Sequence, residues 1–164
     1  MTNLPYVDQP PAPPYGPPLS LADAKRIASA AESAARERGW PVVVAVYDST
    51  GHLALLHRMD DAHLASVTVA QQKAETAVKY RRSTRAFEEG IEQGGAGVRA
   101  VTLPMVCAVD GGFPLIRDGK IVGSIGVSGM HPTQDAFVAQ SGAAALQGVA
   151  AQPRGPAGAE LAPD

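Results

Sequence analysis

Polar and charged side chains suited to binding or proton transfer occur in two stretches of the sequence. The first, "HRMDDAH" (57–63), has Arg58 and Asp60 at the end of an apolar run, and the second, "GVSGMHPTQD" (126–135), has His131 and Asp135. An arginine can bind a carboxylate bidentately, and a histidine near an aspartate can accept and donate protons near neutral pH. These residue types predict a site for an anionic, partly apolar ligand between the two stretches, with His131 and Asp135 as candidate catalytic residues.

Each of these residues also has an explanation that involves structure alone. Arg58 and Asp60 could pair only to fix a turn, and Asp135 could serve only as a first-turn helix acid. Lys73, in "AQQKAETAV", lies on the flank of a helical apolar face. There it could anchor an anionic ligand or extend its ammonium group to solvent.

Residues with metal-binding chemistry are few. A site formed by Asp60, Asp61 and His63 competes with helix-capping chemistry, which explains the aspartates equally well, and we predict no metal. The single cysteine, Cys107, lies in an apolar run. One cysteine forms neither an internal disulfide nor a four-cysteine zinc site, and we expect a buried, inert thiol.

Three evenly spaced glycines, Gly123, Gly126 and Gly129, raise the question of a phosphate-binding loop. A dinucleotide fingerprint needs Gly-x-Gly-x-x-Gly between a first parallel strand and its helix, whereas these glycines lie late in the chain without a Walker lysine. We therefore expect Gly123 and Gly126 to allow close approach of a helix or a neighbouring subunit, and Gly129 to permit a turn. The third interpretation is a glycine-walled pocket for a flat ligand, with Ser128, His131 and Asp135 at its rim. In that pocket the backbone of Gly126, Ser128 and Gly129 would approach the ligand closely.

The elements that must position these residues alternate between helices and hairpins. The capping-box-like Ser20 begins a helix that Gly39 ends, and Asp118-Gly119 between two apolar runs favours a type I′ hairpin turn. The strands are apolar on both sides, so helices must cover both faces of an antiparallel sheet. We expect an α+β sandwich with further helices at 62–80, 84–92 and 133–149, and a first hairpin of strands 41–48 and 52–58.

Composition limits the class of protein. The chain has 164 residues and a net charge of −2, which indicate one domain and give no sign of nucleic-acid or anionic-membrane binding. No apolar run approaches the roughly 20 residues of a membrane span, and no secretory signal is visible. We expect a cytoplasmic protein.

The two ends of the chain differ in composition from its centre. Residues 1–18 form a proline-rich arm, predicted to be disordered or to lie along a partner subunit through Tyr6, Val7 and Tyr15. Residues 19–150 form the folded domain, and 151–164 a flexible tail.

Several blocks together resemble the GlcG/HbpS-like family, also called the haem-degrading domain family. They cover roughly residues 19–147 and are "LSLADAKRIASAAESAARERGWPVVVAVYDSTGHLALLHRMD", "AQQKAETAV", "GGFPL", "DGKIVGSIGVSG" and "TQDAFVAQSG". The resemblance implies a profilin-like α+β fold, with an antiparallel sheet of about five strands flanked by helices, and a homo-oligomer, from dimer up to octamer.

The resemblance also implies small-ligand binding. Some members of the family bind haem, and a few are linked to haem degradation, to iron or redox sensing or to cobalamin pathways, so haem is the candidate cofactor, with His131 or His63 as first candidates for its axial ligand. The alternative is a small cofactor-independent enzyme acting on a carboxylated, perhaps aromatic, catabolic intermediate. In that enzyme Arg58 or Lys73 would anchor the substrate, and His131 with Asp135 would transfer protons.

Overall fold

The structure of the protein is a computed structural model that describes residues 10–147. Within that range, four helices and four strands alternate as the sequence predicts. In chain order they are α1 (Leu21–Arg36), β1 (Val43–Asp48), β2 (Leu53–Arg58), α2 (Ala65–Tyr80), α3 (Thr84–Glu92), β3 (Gly112–Arg117), β4 (Lys120–Ser128) and α4 (Pro132–Gln147). A 3-10 helix, Gly95–Thr102, lies between α3 and β3.

The sheet is antiparallel, with strand order β2-β1-β4-β3. It has four strands where about five were expected. The irregular apolar connection after α3 forms the 3-10 helix and a loop, and Tyr15 of the arm adds only an isolated bridge to Ile121. The α+β fold itself is confirmed.

Helices cover both faces of the sheet, as the two-sided apolar strands predict. Val44, Val46 and Ile125 face a core shared with α1 and α4, whereas Val43 and Ala45 face α2. Because these side chains are fully buried, apolar burial on both faces fixes the register of the central strands.

Local signals account for several element ends. Ser20 accepts a hydrogen bond from the Asp23 N–H and completes a capping box, and both Asp118 and Gly119 have positive φ (52° and 70°), as a type I′ turn requires. The last helix starts at Pro132, one residue before its predicted start at Thr133. Proline suits the first helical position, where its missing N–H would have no intrahelical partner.

Close approach explains two of the three glycines in β4 and the turn after it. A Cβ at Gly126 would lie 2.1 Å from the carbonyl oxygen of Ala70 in α2, and one at Gly123 would lie 2.2 Å from a methyl carbon of Leu19. Both distances are far inside van der Waals contact. The predicted approach of a helix is confirmed at Gly126, whereas at Gly123 the nearest group is the side chain of Leu19, which precedes α1. The approaching groups belong to the same chain.

The described part of the arm lies along its own chain, unlike either expectation for it. The Ile121 N–H donates to the carbonyl oxygen of Pro14 and the Gly16 N–H to that of Ile121, so the arm runs beside the start of β4, beyond its pairing with β1. The Tyr15 hydroxyl donates to the Val78 carbonyl oxygen, 2.7 Å away at the end of α2. The other proposed anchors, Tyr6 and Val7, and the tail from 151 lie outside the described residues.

Among residues 10–147, none of the helices combines the length and the apolar character that crossing a membrane would require.

Candidate functional site

Three residues on adjacent strands form one row across the sheet, at the end of the sheet that lies near the start of α2. Val43 of β1 pairs with Arg58 of β2 on one side and with Ser128 of β4 on the other. Directly opposite residues in antiparallel strands point to the same face, here the face covered by α2, and neighbouring strands are about 4.8 Å apart. Arg58 and Ser128, named together with Val43 the cross-strand row, therefore lie roughly 10 Å apart.

The N-terminal end of α2 lies over this row. Ser66 is fully buried and its hydroxyl is 3.3 Å from that of Ser128. The same hydroxyl lies 3.1 Å from Nδ1 and 3.2 Å from Nε2 of His63, and His63 itself is exposed. Helix α2 starts at Ala65, three residues after its predicted start, because Leu64 is the N-cap. His63 therefore precedes the helix, and its carbonyl oxygen accepts a hydrogen bond from the Ser66 N–H at 3.1 Å.

Two of the exposed side chains near this end of the sheet are Leu64, at the start of α2, and Arg58 of the row itself. Leu64 is 77% exposed. Arg58 is exposed, and within residues 10–147 it forms neither an ion pair nor a side-chain hydrogen bond. The predicted turn-fixing pair of Arg58 and Asp60 is not formed, and Asp60 is itself exposed. The Arg58 guanidinium is thus available for an anion.

Lys73 is buried, at 1% exposure, and the interpretation that it extends to solvent is wrong. Its ammonium donates to Asp135 Oδ2 and to the carbonyl oxygen of Val127, both at 2.9 Å. Asp135 Oδ1 in turn accepts from the Met130 N–H at 2.9 Å. Lys73 faces the sheet because it is seven residues after Ser66, two helical turns along the same side of α2. In this arrangement its charge is directed to Asp135 and not to the surface.

The Asp135 carboxyl is buried together with that ammonium. Burial raises the pKa of Asp135, and the charge and hydrogen bond of Lys73 oppose that shift. Both carboxylate oxygens have partners within the chain, so Asp135 links α4, α2 and the turn after β4.

The glycine turn uses its backbone donors internally. The Met130 N–H bonds to Asp135 Oδ1, the His131 N–H to Gln134 Oε1 at 3.1 Å, and the N–H groups of Gln134 and Asp135 to the carbonyl oxygen of His131. A phosphate cradle needs such groups to point at the ligand. The alternative of a phosphate-binding loop is therefore not supported by the geometry.

His131 is exposed beside the same turn. Its Nδ1 lies 2.9 Å from the Thr133 hydroxyl, and in the part of the chain that the structure describes its ring shares no hydrogen bond with Asp135. Gly126 is covered by the backbone of α2, and a Cβ at Gly129 would lie 2.4 Å from the carbonyl oxygen of Pro41. The structure therefore brings Arg58 and Ser128 into one row, with Lys73 and Asp135 paired behind the turn.

Two residues beside the row, Ser66 and Leu64, were missed in the sequence. The signal for Ser66 was its spacing: it precedes Ala70 and Lys73 on one helical face, at i, i+4 and i+7. Leu64 carried no local signal, because only the tertiary position of the helix start leaves it exposed.

The remaining candidates for site chemistry are the possible metal ligands near residue 60 and the single cysteine. Asp60, Asp61 and His63 do not come together, and in residues 10–147 no three side chains of the metal-binding types form a group that could hold a metal ion. Cys107 is half-buried, and burial raises the pKa of its thiol. The thiol form is therefore favoured at neutral pH, which suits an unreactive cysteine.

Comparison with known proteins identifies the family. Residues 19–144 match the model described as "Haem degrading protein HbpS-like". The chain belongs to the HbpS-like family. It is 41% identical to the protein GlcG of Escherichia coli K12 over 110 residues, which are 67% of this chain and 81% of GlcG.

Two solved structures of this family share the fold. A crystal structure of a PduOC:haem complex is 35% identical, with a TM-score of 0.72, and the match covers 78% of this chain and 94% of that one. A double mutant of HbpS from Streptomyces reticuli is 30% identical, also with a TM-score of 0.72, over 88% of this chain and 97% of that one.

Proposed function

We propose that this protein binds haem, an anionic and largely apolar small molecule, at the edge of the sheet beside the cross-strand row. Two observations carry the proposal. Arg58, which has no ion pair or side-chain hydrogen bond among residues 10–147, shares the cross-strand row with Ser128, and the His63 ring contacts Ser66, whose hydroxyl lies over Ser128. An exposed arginine, an exposed imidazole and an exposed leucine supply charged, coordinating and apolar contacts.

The donor set of this site fits haem. A haem presents two carboxylates, a flat apolar ring and an iron that takes an imidazole nitrogen. Arg58 offers a bidentate donor for a carboxylate, exposed Leu64 offers apolar surface, and His63 offers the imidazole. When bound, haem would supply iron coordination and redox chemistry, which none of the side chains in this row can supply.

Each residue of the site would then have a definite task. Arg58 would bind a haem carboxylate, and His63 would offer an imidazole nitrogen to the iron. The Ser66 hydroxyl, which contacts the His63 ring, would restrain that ring. Ser128 closes the floor beneath Ser66. Asp60 follows Arg58 by two residues and His131 follows Ser128 by three, and both are exposed, whereas Gly129 packs against the Pro41 carbonyl oxygen.

Similarity to other proteins supports this ligand. The PduOC structure, in complex with haem, has the same fold at 35% identity, and the family description names haem degradation. The catalytic alternative has less support. Both oxygens of Asp135 are already bonded, and the ring of His131 contacts Thr133, so these two residues do not form a proton-transfer pair.

Titration of the full chain with hemin tests the proposal. We expect a Soret band that shifts from that of free hemin, with saturation at one hemin per chain. His63→Ala should change the position of the band and weaken affinity. His52→Ala is the matched control, because His52 is an exposed histidine that contacts Thr50 at the opposite end of the β1–β2 hairpin.

Three outcomes distinguish the alternatives. A wild-type protein that does not shift the hemin spectrum contradicts the proposal. If His131→Ala loses the band and His63→Ala keeps it, the histidine that binds the iron is His131 and not His63. Equal spectra for the variants at His52, His63 and His131 would show that none of these three histidines binds the iron.

A further inference from the structure

We infer that Lys73 and Asp135 are positioning residues, whose buried ion pair holds the turn after β4 against α2 and so sets the spacing of the ligand site. This inference rests on the function proposed above. It assigns the pair no contact with the ligand.

The pair joins elements on opposite faces of the sheet. Lys73 belongs to α2, which covers one face, and Asp135 to α4, which covers the other. The link lies beside the edge strand β3 where that strand begins, since β3 first pairs with β4 at Gly112 and Gly126. Gly111, the residue before β3, lies next to the ion pair, and a Cβ there would lie 3.0 Å from Lys73 Nζ. The absence of a side chain at Gly111 therefore leaves room for the ammonium.

The bonds of the pair lie on both sides of Ser128. Lys73 binds the carbonyl oxygen of Val127, one residue before it, and Asp135 binds the N–H of Met130, two residues after it. Ser66, which contacts Ser128, lies on α2 two turns before Lys73. Loss of the ion pair would free the turn from α2 and change the distance between Ser128 and the His63–Ser66 contact.

Energetics favour a positioning role over a stabilising one. Removing two charges from water costs free energy that their attraction largely offsets but seldom exceeds. Well-packed apolar replacements of a buried pair are therefore often neutral for stability. What such a replacement cannot reproduce is one ammonium that donates to two acceptors on different elements.

A set of variants distinguishes an effect on the position of the turn from an effect on the stability of the fold. Lys73→Met leaves a buried, unpaired carboxylate. The double variant K73M/D135N removes that charge and keeps an oxygen for the Met130 N–H, but no longer ties α2 to the turn. Lys79→Met is the matched control, because Lys79 is an exposed lysine on the same helix. The probes are hemin affinity and amide hydrogen exchange at residues 127–131, both on the full chain.

We expect K73M/D135N to unfold at nearly the wild-type temperature, to bind hemin about tenfold more weakly or worse, and to exchange its 127–131 amides faster. The Lys79→Met control should match wild type in all three. Unchanged hemin affinity in a folded double variant overturns the inference, and so does unchanged exchange at the turn.

The failure of the two proposals can be told apart. If wild-type protein binds no hemin, the proposed function fails, and the exchange data alone decide whether the pair holds the turn. If the double variant does not fold, Asp135→Asn, which preserves volume, carries the same test. Wild-type exchange and wild-type affinity in that variant would overturn the inference.

Discussion

Arg117 in β3 and Asp23 in α1 are joined by two hydrogen bonds, of 3.1 and 3.3 Å, across 94 residues of sequence. Burial alone would raise the pKa of the Asp23 carboxyl, but hydrogen bonds from Arg117 and Ser20 outweigh it and hold the pKa well below its usual range. The ionised carboxylate is therefore the form that the folded state favours.

This pair predicts an acid-dependent stability. Because the folded-state pKa is depressed, the contribution of Asp23 is complete above its unfolded-state pKa of about 4 and is lost as pH falls below that value. Asp23→Asn should lower the free energy of unfolding by about 1–3 kcal/mol at pH 7, and by less at pH 3. Urea titrations at both pH values measure the difference. Glu92→Gln, an exposed acid at the end of α3, is the control, and an equal loss at both pH values would contradict the linkage.

Gly126 must remain without a side chain. A Cβ there would lie 2.1 Å from a backbone oxygen and 2.5 Å from the Ala74 nitrogen, and neither backbone group can move without shifting α2. Gly126→Val should cost at least about 1–3 kcal/mol by overpacking, measured by urea denaturation. Gly90→Ala, in α3 where a Cβ meets no atom within 4 Å, should be neutral or stabilise by up to about 1 kcal/mol. An unchanged melting temperature for Gly126→Val would show that the approach is not required.

Arg58→Ala should weaken hemin affinity with little change in stability. The guanidinium has no partner among residues 10–147, so its removal leaves no buried group unsatisfied, and exposed substitutions of this kind usually change stability by less than about 0.5 kcal/mol. Calorimetric titration with hemin measures the affinity. Arg82→Ala, an exposed arginine after α2, provides the comparison. If hemin binds the Arg58 variant as tightly as wild type, the arginine does not contact the ligand.

We predict a homo-oligomer. Val101 is 66% exposed and Met105 55% exposed after α3, and Leu64 is exposed at the start of α2, so apolar surface remains that association could bury. Light scattering at micromolar concentration should give at least twice the chain mass of 16.9 kDa. A mass equal to that of one chain would refute the prediction.

The local elements could be predicted from short-range patterns in the sequence. Ser20 with Asp23, Asp118 with Gly119, and the helical spacing of alanines specify caps, turns and faces through contacts a few residues apart. These signals depend on backbone geometry and nearest neighbours, so they can be recognised in any context. The helix over 84–92 and both hairpins follow from them, and so does the close approach of a helix at Gly126.

Which residues come together in the candidate site depends on tertiary packing. Lys73 and Asp135 are 62 residues apart, and whether a lysine on the flank of a helix faces solvent or a carboxylate depends on which element packs beside it. The cross-strand row likewise depends on register, because a slip of one residue would turn Arg58 to the other face. The donors of the glycine turn are bonded by Asp135 and Gln134 only once α4 starts at Pro132. Charge, register and hydrogen-bond satisfaction are properties of the packed chain, and the order of residues constrains them without fixing them.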